Sequence, residues 1–87
     1  MKKIEKKCWL EYFEKILSGE KTFDVRLADW KCSVGDILVL NEWNPKTKKF
    51  TGRTIEKKIT YIAKTKDFKF FKKEEIEKYG FQVIGFK

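Results

Sequence analysis

The chain has 87 residues, of which 41% are hydrophobic, 16% aromatic and 39% charged, with a net charge of +8. That length suits one domain spanning residues 1–87, and its hydrophobic share argues against disorder despite the charge. The apolar runs are too short for a membrane span or a signal peptide, so a soluble, cytoplasmic protein is expected. Residues 2–8 read as a short, charged first strand whose Lys2, Lys3, Lys6 and Lys7 guard a sheet edge. From Trp9 to Ser18 the apolar positions recur at spacings of three and four, which predicts an amphipathic helix ended by Gly19. Residues 22–27 alternate, with Phe23, Val25 and Leu27 on one face and Thr22, Asp24 and Arg26 on the other: a half-buried strand. "SVGD" is a turn with Gly35 at positive φ. Ile37–Trp43 starts with four apolar residues, so both faces of this strand are expected to be covered. "NPKTKKFTG" forms a hairpin loop. A long strand follows over 53–64, with Ile55, Ile59 and Tyr61 alternating against Thr54, Glu56, Lys58 and Thr60. A basic-aromatic loop, a helix over 73–79 stopped by Gly80 and a last strand over 81–86 complete the chain.

The order β-α-β-β-β-α-β with short connections predicts an α+β fold: a mixed β-barrel of five to six strands with two short helices, and a monomer. There is no histidine, which removes the commonest general base and every imidazole triad. Cys8 and Cys32 lack metal-ligand spacing, so neither a metal nor a cofactor is expected, and the two are read as reduced thiols. The charge has two readings. Abundant Lys and Glu with few amides (Asn41, Asn44, Gln82) fit a thermophile-type surface. Lysine clearly outruns glutamate, however, and the surplus points to a polyanionic partner, nucleic acid first.

Three segments carry candidate site residues. In "SGEKTFDVR", Lys21, Asp24 and Arg26 crowd one short stretch. Two apart on a strand face, Asp24 and Arg26 are close enough to pair, either as an ordinary surface pair or as a carboxylate orienting Arg26 and Lys21 toward a phosphate or base edge. Trp30, in a loop beside Lys31, either stacks a base or lids the barrel end. "KTKDFKFFKK" interleaves Phe68, Phe70 and Phe71 with lysines that include Lys69 and Lys72, the composition of a single-strand-binding surface. Its bland reading is a loop whose phenylalanines plug the barrel. Trp9 and Trp43 are expected in the core. Glu42 shares a face with Leu38 and Leu40, near a buried rim.

"GEKTFDVR" resembles the G-x-K-x-x-E-x-R signature of ASCH domains, in the PUA-like superfamily. "VGDILVLNEW" and "TGRTIEKKITYI" resemble a small single-domain group within it, where a Gly-Asp turn, a strand ending in Glu-Trp and a T-G-R hairpin recur. Asp24 stands where that signature has Glu. The resemblance implies a PUA-like barrel with a cleft between barrel and first helix, lined by Lys21, Asp24 and Arg26 and taking RNA, or a single nucleoside or base. Some relatives are hydrolases of acetylated cytidine or ribonucleases. The amidohydrolase pattern implies Lys21 and a later Glu, with Glu74 and Glu75 the nearest counterparts, but its Thr nucleophile position is Asp24. The expectation is therefore an RNA-binding module, with a small hydrolase as the competing reading.

Overall fold

The computed structural model of the chain describes residues 1–67 and 72–87. Its elements run β1 (Lys3–Trp9), α1 (Leu10–Leu17), β2 (Phe23–Leu27), β3 (Ile37–Asn44), β4 (Lys49–Lys64), a 3-10 turn (Thr65–Asp67), α2 (Lys73–Tyr79) and β5 (Phe81–Phe86). The strands form one mixed sheet in the order β1-β3-β4-β5-β2, with β1 parallel to β3 and the other pairs antiparallel. This is the α+β fold expected from the element order: five strands in a curled half-barrel with two short helices. Phe68, Lys69, Phe70 and Phe71 lie outside the described residues.

The core explains why each segment takes its place. Leu38 and Leu40 on β3, Ile59 on β4 and Ile84 and Phe86 on β5 point inward with Cys8 of β1. α1 covers this cluster with Phe13 and Ile16, one turn apart and 1% and 0% exposed, as the three-residue spacing requires. Gly19 ends the helix at φ 87° and Gly35 makes the 33–36 turn at φ 99°, both conformations that a Cβ disfavours. Asp36 fixes that turn by accepting the backbone N–H groups of Ser33 and Lys2 at 2.9 and 3.1 Å. None of the described helices is long and apolar enough to cross a membrane.

The structure decides which face of β2 is buried and corrects three expectations. On β2 the apolar residues face outward, with Phe23, Val25 and Leu27 48%, 54% and 48% exposed, while Asp24 is buried. The chain turns its charged face inward because Asp24 finds two cations there. On β4, Tyr61 is 66% exposed because a bulge between Ile59 and Tyr61 shifts the alternation by one residue. Trp9 is exposed rather than core. Lys6 is no edge guard: its Nζ lies 4.1 Å from the centroid of Trp30, on the inward face it shares with Cys8.

Candidate functional site

β1 and β2 are the two end strands of the sheet, and the half-barrel is open between them. A cleft of about 580 Å³ occupies that seam. Its charged lining is Lys21, Asp24 and Arg26, joined by Lys7; Trp9, Tyr12, Phe23 and Val25 supply apolar walls, with Cys8 also among the lining residues. The three residues crowded in "GEKTFDVR" thus share one concavity.

Local folding sets their positions. In antiparallel pairing, alternate residues direct their N–H and C=O groups at the partner strand. Phe86 N–H donates to Thr22 O, and Ala28 N–H donates to Gly80 O. Residues 22, 24, 26 and 28 therefore pair with β5, and the main-chain groups of Phe23, Val25 and Leu27 face the seam. One of these edge carbonyls, Phe23 O, accepts from Lys21 Nζ at 2.7 Å. Across the seam, Lys7 O accepts from Arg26 Nη2 at 2.7 Å. Asp24 holds both cations: Oδ2 accepts from Arg26 Nε at 2.7 Å and Oδ1 from Lys21 Nζ at 3.5 Å. The side chains of Lys21, Asp24 and Arg26 are only 18%, 12% and 21% exposed, so this pair of bridges is screened less than a surface one. The motif is a clasp in which side chains take the place of a missing backbone ladder. With one N–H of Nε and one of Nη2 engaged within the protein, three N–H groups, two on Nη1 and one on Nη2, are left for a ligand.

The aromatic walls come from the end of β1, from α1 and from β2. Tyr12 and Trp9 are 49% and 47% exposed, on the flank of the helix that Phe13 and Ile16 leave uncovered. Lys21 Nζ sits 5.6 Å from the Tyr12 ring centroid and 5.0 Å from that of Phe23. Positive charge is thereby held among rings able to stack. Burial, and after it the charge of Asp24, push the Cys8 thiol up, which keeps it protonated and a weak nucleophile at neutral pH. Cys8 and Cys32 are both free.

A second cluster braces α1. Glu42, 3% exposed, accepts from Arg53 Nε at 2.9 Å and Nη2 at 2.8 Å, and from Thr51 Oγ1 at 2.5 Å. Arg53 Nη2 also donates to Glu14 on α1, and its guanidinium lies 5.0 Å from the Phe13 ring centroid. The Glu-Trp strand end and the T-G-R hairpin meet here, tying the hairpin to the helix that walls the cleft. Arg53 holds the Glu42 carboxyl below its ordinary range, against the opposing effect of burial.

The other predicted residues lie elsewhere. Trp30 is outside the cleft lining; it is half-buried and packs on the core cluster, the lid position. Lys31, Lys72, Glu74 and Glu75 are exposed, and none lines the cleft. Lys69 lies outside the described residues. Sequence reasoning missed Lys7, Cys8, Trp9, Tyr12, Phe23 and Val25 as cleft residues. The available signal was the breadth of the apolar stripe on α1, wider than two buried positions need.

Fold and cleft together define a small α+β half-barrel with a cationic, aromatic-walled seam. The chain belongs to the family described as Domain of unknown function (DUF3850), whose model matches residues 4–80. No curated protein matches the chain.

Proposed function

We propose that the chain is an RNA-binding module of ASCH type, PUA-like in architecture, acting as a monomer in the cytoplasm. The supporting observation is that Lys21, Asp24 and Arg26 share one cleft with Trp9, Tyr12 and Phe23. Cations for phosphates beside rings for bases are what single-stranded nucleic acid requires, and the net charge of +8 draws a polyanion to the surface. Asp24 adds an acceptor suited to an exocyclic amine. Fluorescence anisotropy with a mixed-sequence single-stranded RNA, titrated in salt, tests the reading. Binding that weakens as salt rises is expected. Undetectable affinity at low salt, or affinity without a salt slope, would sink it.

The hydrolase reading has less support. Lys21 Nζ donates to two acceptors, Phe23 O and Asp24 Oδ1, so it is already engaged within the protein. Asp24, in the nucleophile position, is committed to Lys21 and Arg26. Incubation with acetylated cytidine and an RNA panel, followed by mass spectrometry, distinguishes the two. Turnover abolished in Lys21→Ala would reverse the ranking.

A further inference from the structure

Gly85 on β5 has Phe23 as its Cα partner on one side and Tyr61 on the other. Its chain neighbours Ile84 and Phe86 are 0% and 3% exposed and point into the core, so alternation puts Gly85 on the outer face of the sheet. Phe23 and Tyr61 stand on that face with 48% and 66% of their surface exposed. The β4 bulge is what brings Tyr61 there; without it Thr60 would oppose Gly85 and Tyr61 would turn inward.

Adjacent strands are about 4.8 Å apart, so the two aromatic residues are separated by roughly 9–10 Å across Gly85, which itself has no side chain. Aromatic rings stack at centroid separations of about 4.5–7 Å, and one flat ring fits between two walls at that spacing. Nothing local demands glycine here. A Cβ on Gly85 would make ordinary 3.6 Å contacts with Thr60 Oγ1 and Tyr61 Cβ, and its backbone is not among the positive-φ positions. What the missing side chain does is lower the floor of the gap, which Thr60 Oγ1 borders.

Two observations say what enters. Phe23 also lines the cleft, with Lys21 Nζ 5.0 Å from its ring centroid, so gap and cleft share one residue. Along β4 and β5 from the gap, Lys58 and Lys87 exchange backbone hydrogen bonds at 3.1 and 3.2 Å and are exposed. The gap thus has cations on two sides, Lys21 by Phe23 and Lys58 and Lys87 along the strands, where phosphates flanking a stacked base would lie.

We propose that Phe23 and Tyr61, facing each other across Gly85, form a second binding site: a slot for one base of a single-stranded RNA whose neighbouring nucleotides occupy the cleft. This rests on the reading of the cleft as an RNA site. The test is anisotropy with a fluorescein-labelled, mixed-sequence single-stranded RNA on five proteins: wild type, Tyr61→Ala, Tyr61→Trp, Gly85→Leu and Arg26→Ala. Removing a wall (Tyr61→Ala) or filling the floor (Gly85→Leu) weakens binding by about tenfold, within the range for loss of one stacked base. Stacking is uncharged, so the salt slope stays at the wild-type value in both. Tyr61→Trp restores or strengthens binding, which a purely structural role for Tyr61 does not explain. Wild-type affinity in Tyr61→Ala, with Arg26→Ala weakened, overturns the slot and leaves the cleft standing. Absence of binding by the wild type overturns both.

Discussion

Asp24 holds two cations at once, and replacing it with asparagine separates geometry from charge. Asp24→Asn keeps the shape, weakens the hold on Lys21 and Arg26, and is expected to lower RNA affinity moderately; a changed base preference would add that Asp24 reads an exocyclic amine. Arg26→Ala should cost more than Lys72→Ala. Arg26 sits in the cleft and clasps Lys7 O across the seam, whereas Lys72 is exposed and contributes a salt-dependent increment shared by all sequences. Anisotropy across salt and a small sequence panel checks both, and equal losses at Arg26 and Lys72 would reduce the motif to part of a basic surface. Glu42 gives a pH prediction. Its carboxyl is held below the ordinary glutamate value of about 4.3 mainly by Arg53. The stability it contributes is therefore fully present above that value and lost as pH falls through the lower folded one. Asp36, held down by two backbone N–H donors, acts in the same direction. The thermal midpoint should fall in acid, with a shallower fall in Glu42→Gln; superimposable acid limbs would contradict this.

Each element took its type from the sequence signal, whereas the face it presents was less legible. α1 followed its period, and Phe13 is 1% exposed beneath it. Phe13→Ala should cost about 3–5 kcal/mol in chemical denaturation; a loss below about 1 kcal/mol would mean that the helix is not anchored there. On β2 the alternation was plain, but it left open which of the two faces is buried. Period fixes which residues share a face, and only the partners waiting in space decide which face is buried. Those partners, Lys21 on the preceding turn and Lys7 O on β1, could not be read from the strand itself. Tyr61 failed for a different reason: a single bulge flips every later residue, and no glycine or proline near residue 60 announces it. The Glu42–Arg53 bridge was half legible, because its residues stood out as motifs while their contact spans separate strands and a helix. The three residues of "GEKTFDVR" were legible as a cluster because local spacing alone sets it.

The sheet order β1-β3-β4-β5-β2 lay beyond the reach of local signals, since parallel β1–β3 pairing and the return of β5 to β2 join residues far apart in the chain. This order also has a kinetic consequence. The β3–β4 hairpin closes over a short turn, but β2 has to wait for β5, with Phe23 opposite Gly85 across most of the chain length. Closing so long a loop carries more entropy and is slower than forming a hairpin. The cleft and its clasp are therefore assembled last, when the first and last thirds of the chain meet. Native-state hydrogen exchange should show β2 and β5 amides opening together at a lower free energy than those of β3 and β4, and a single opening free energy for all four strands would refute the order. RNA, if it holds the seam, should slow exchange in β2 and β5 selectively. A weakened chain would then lose its cleft while the central hairpin is still intact, so binding would fail at a temperature where much of the sheet persists.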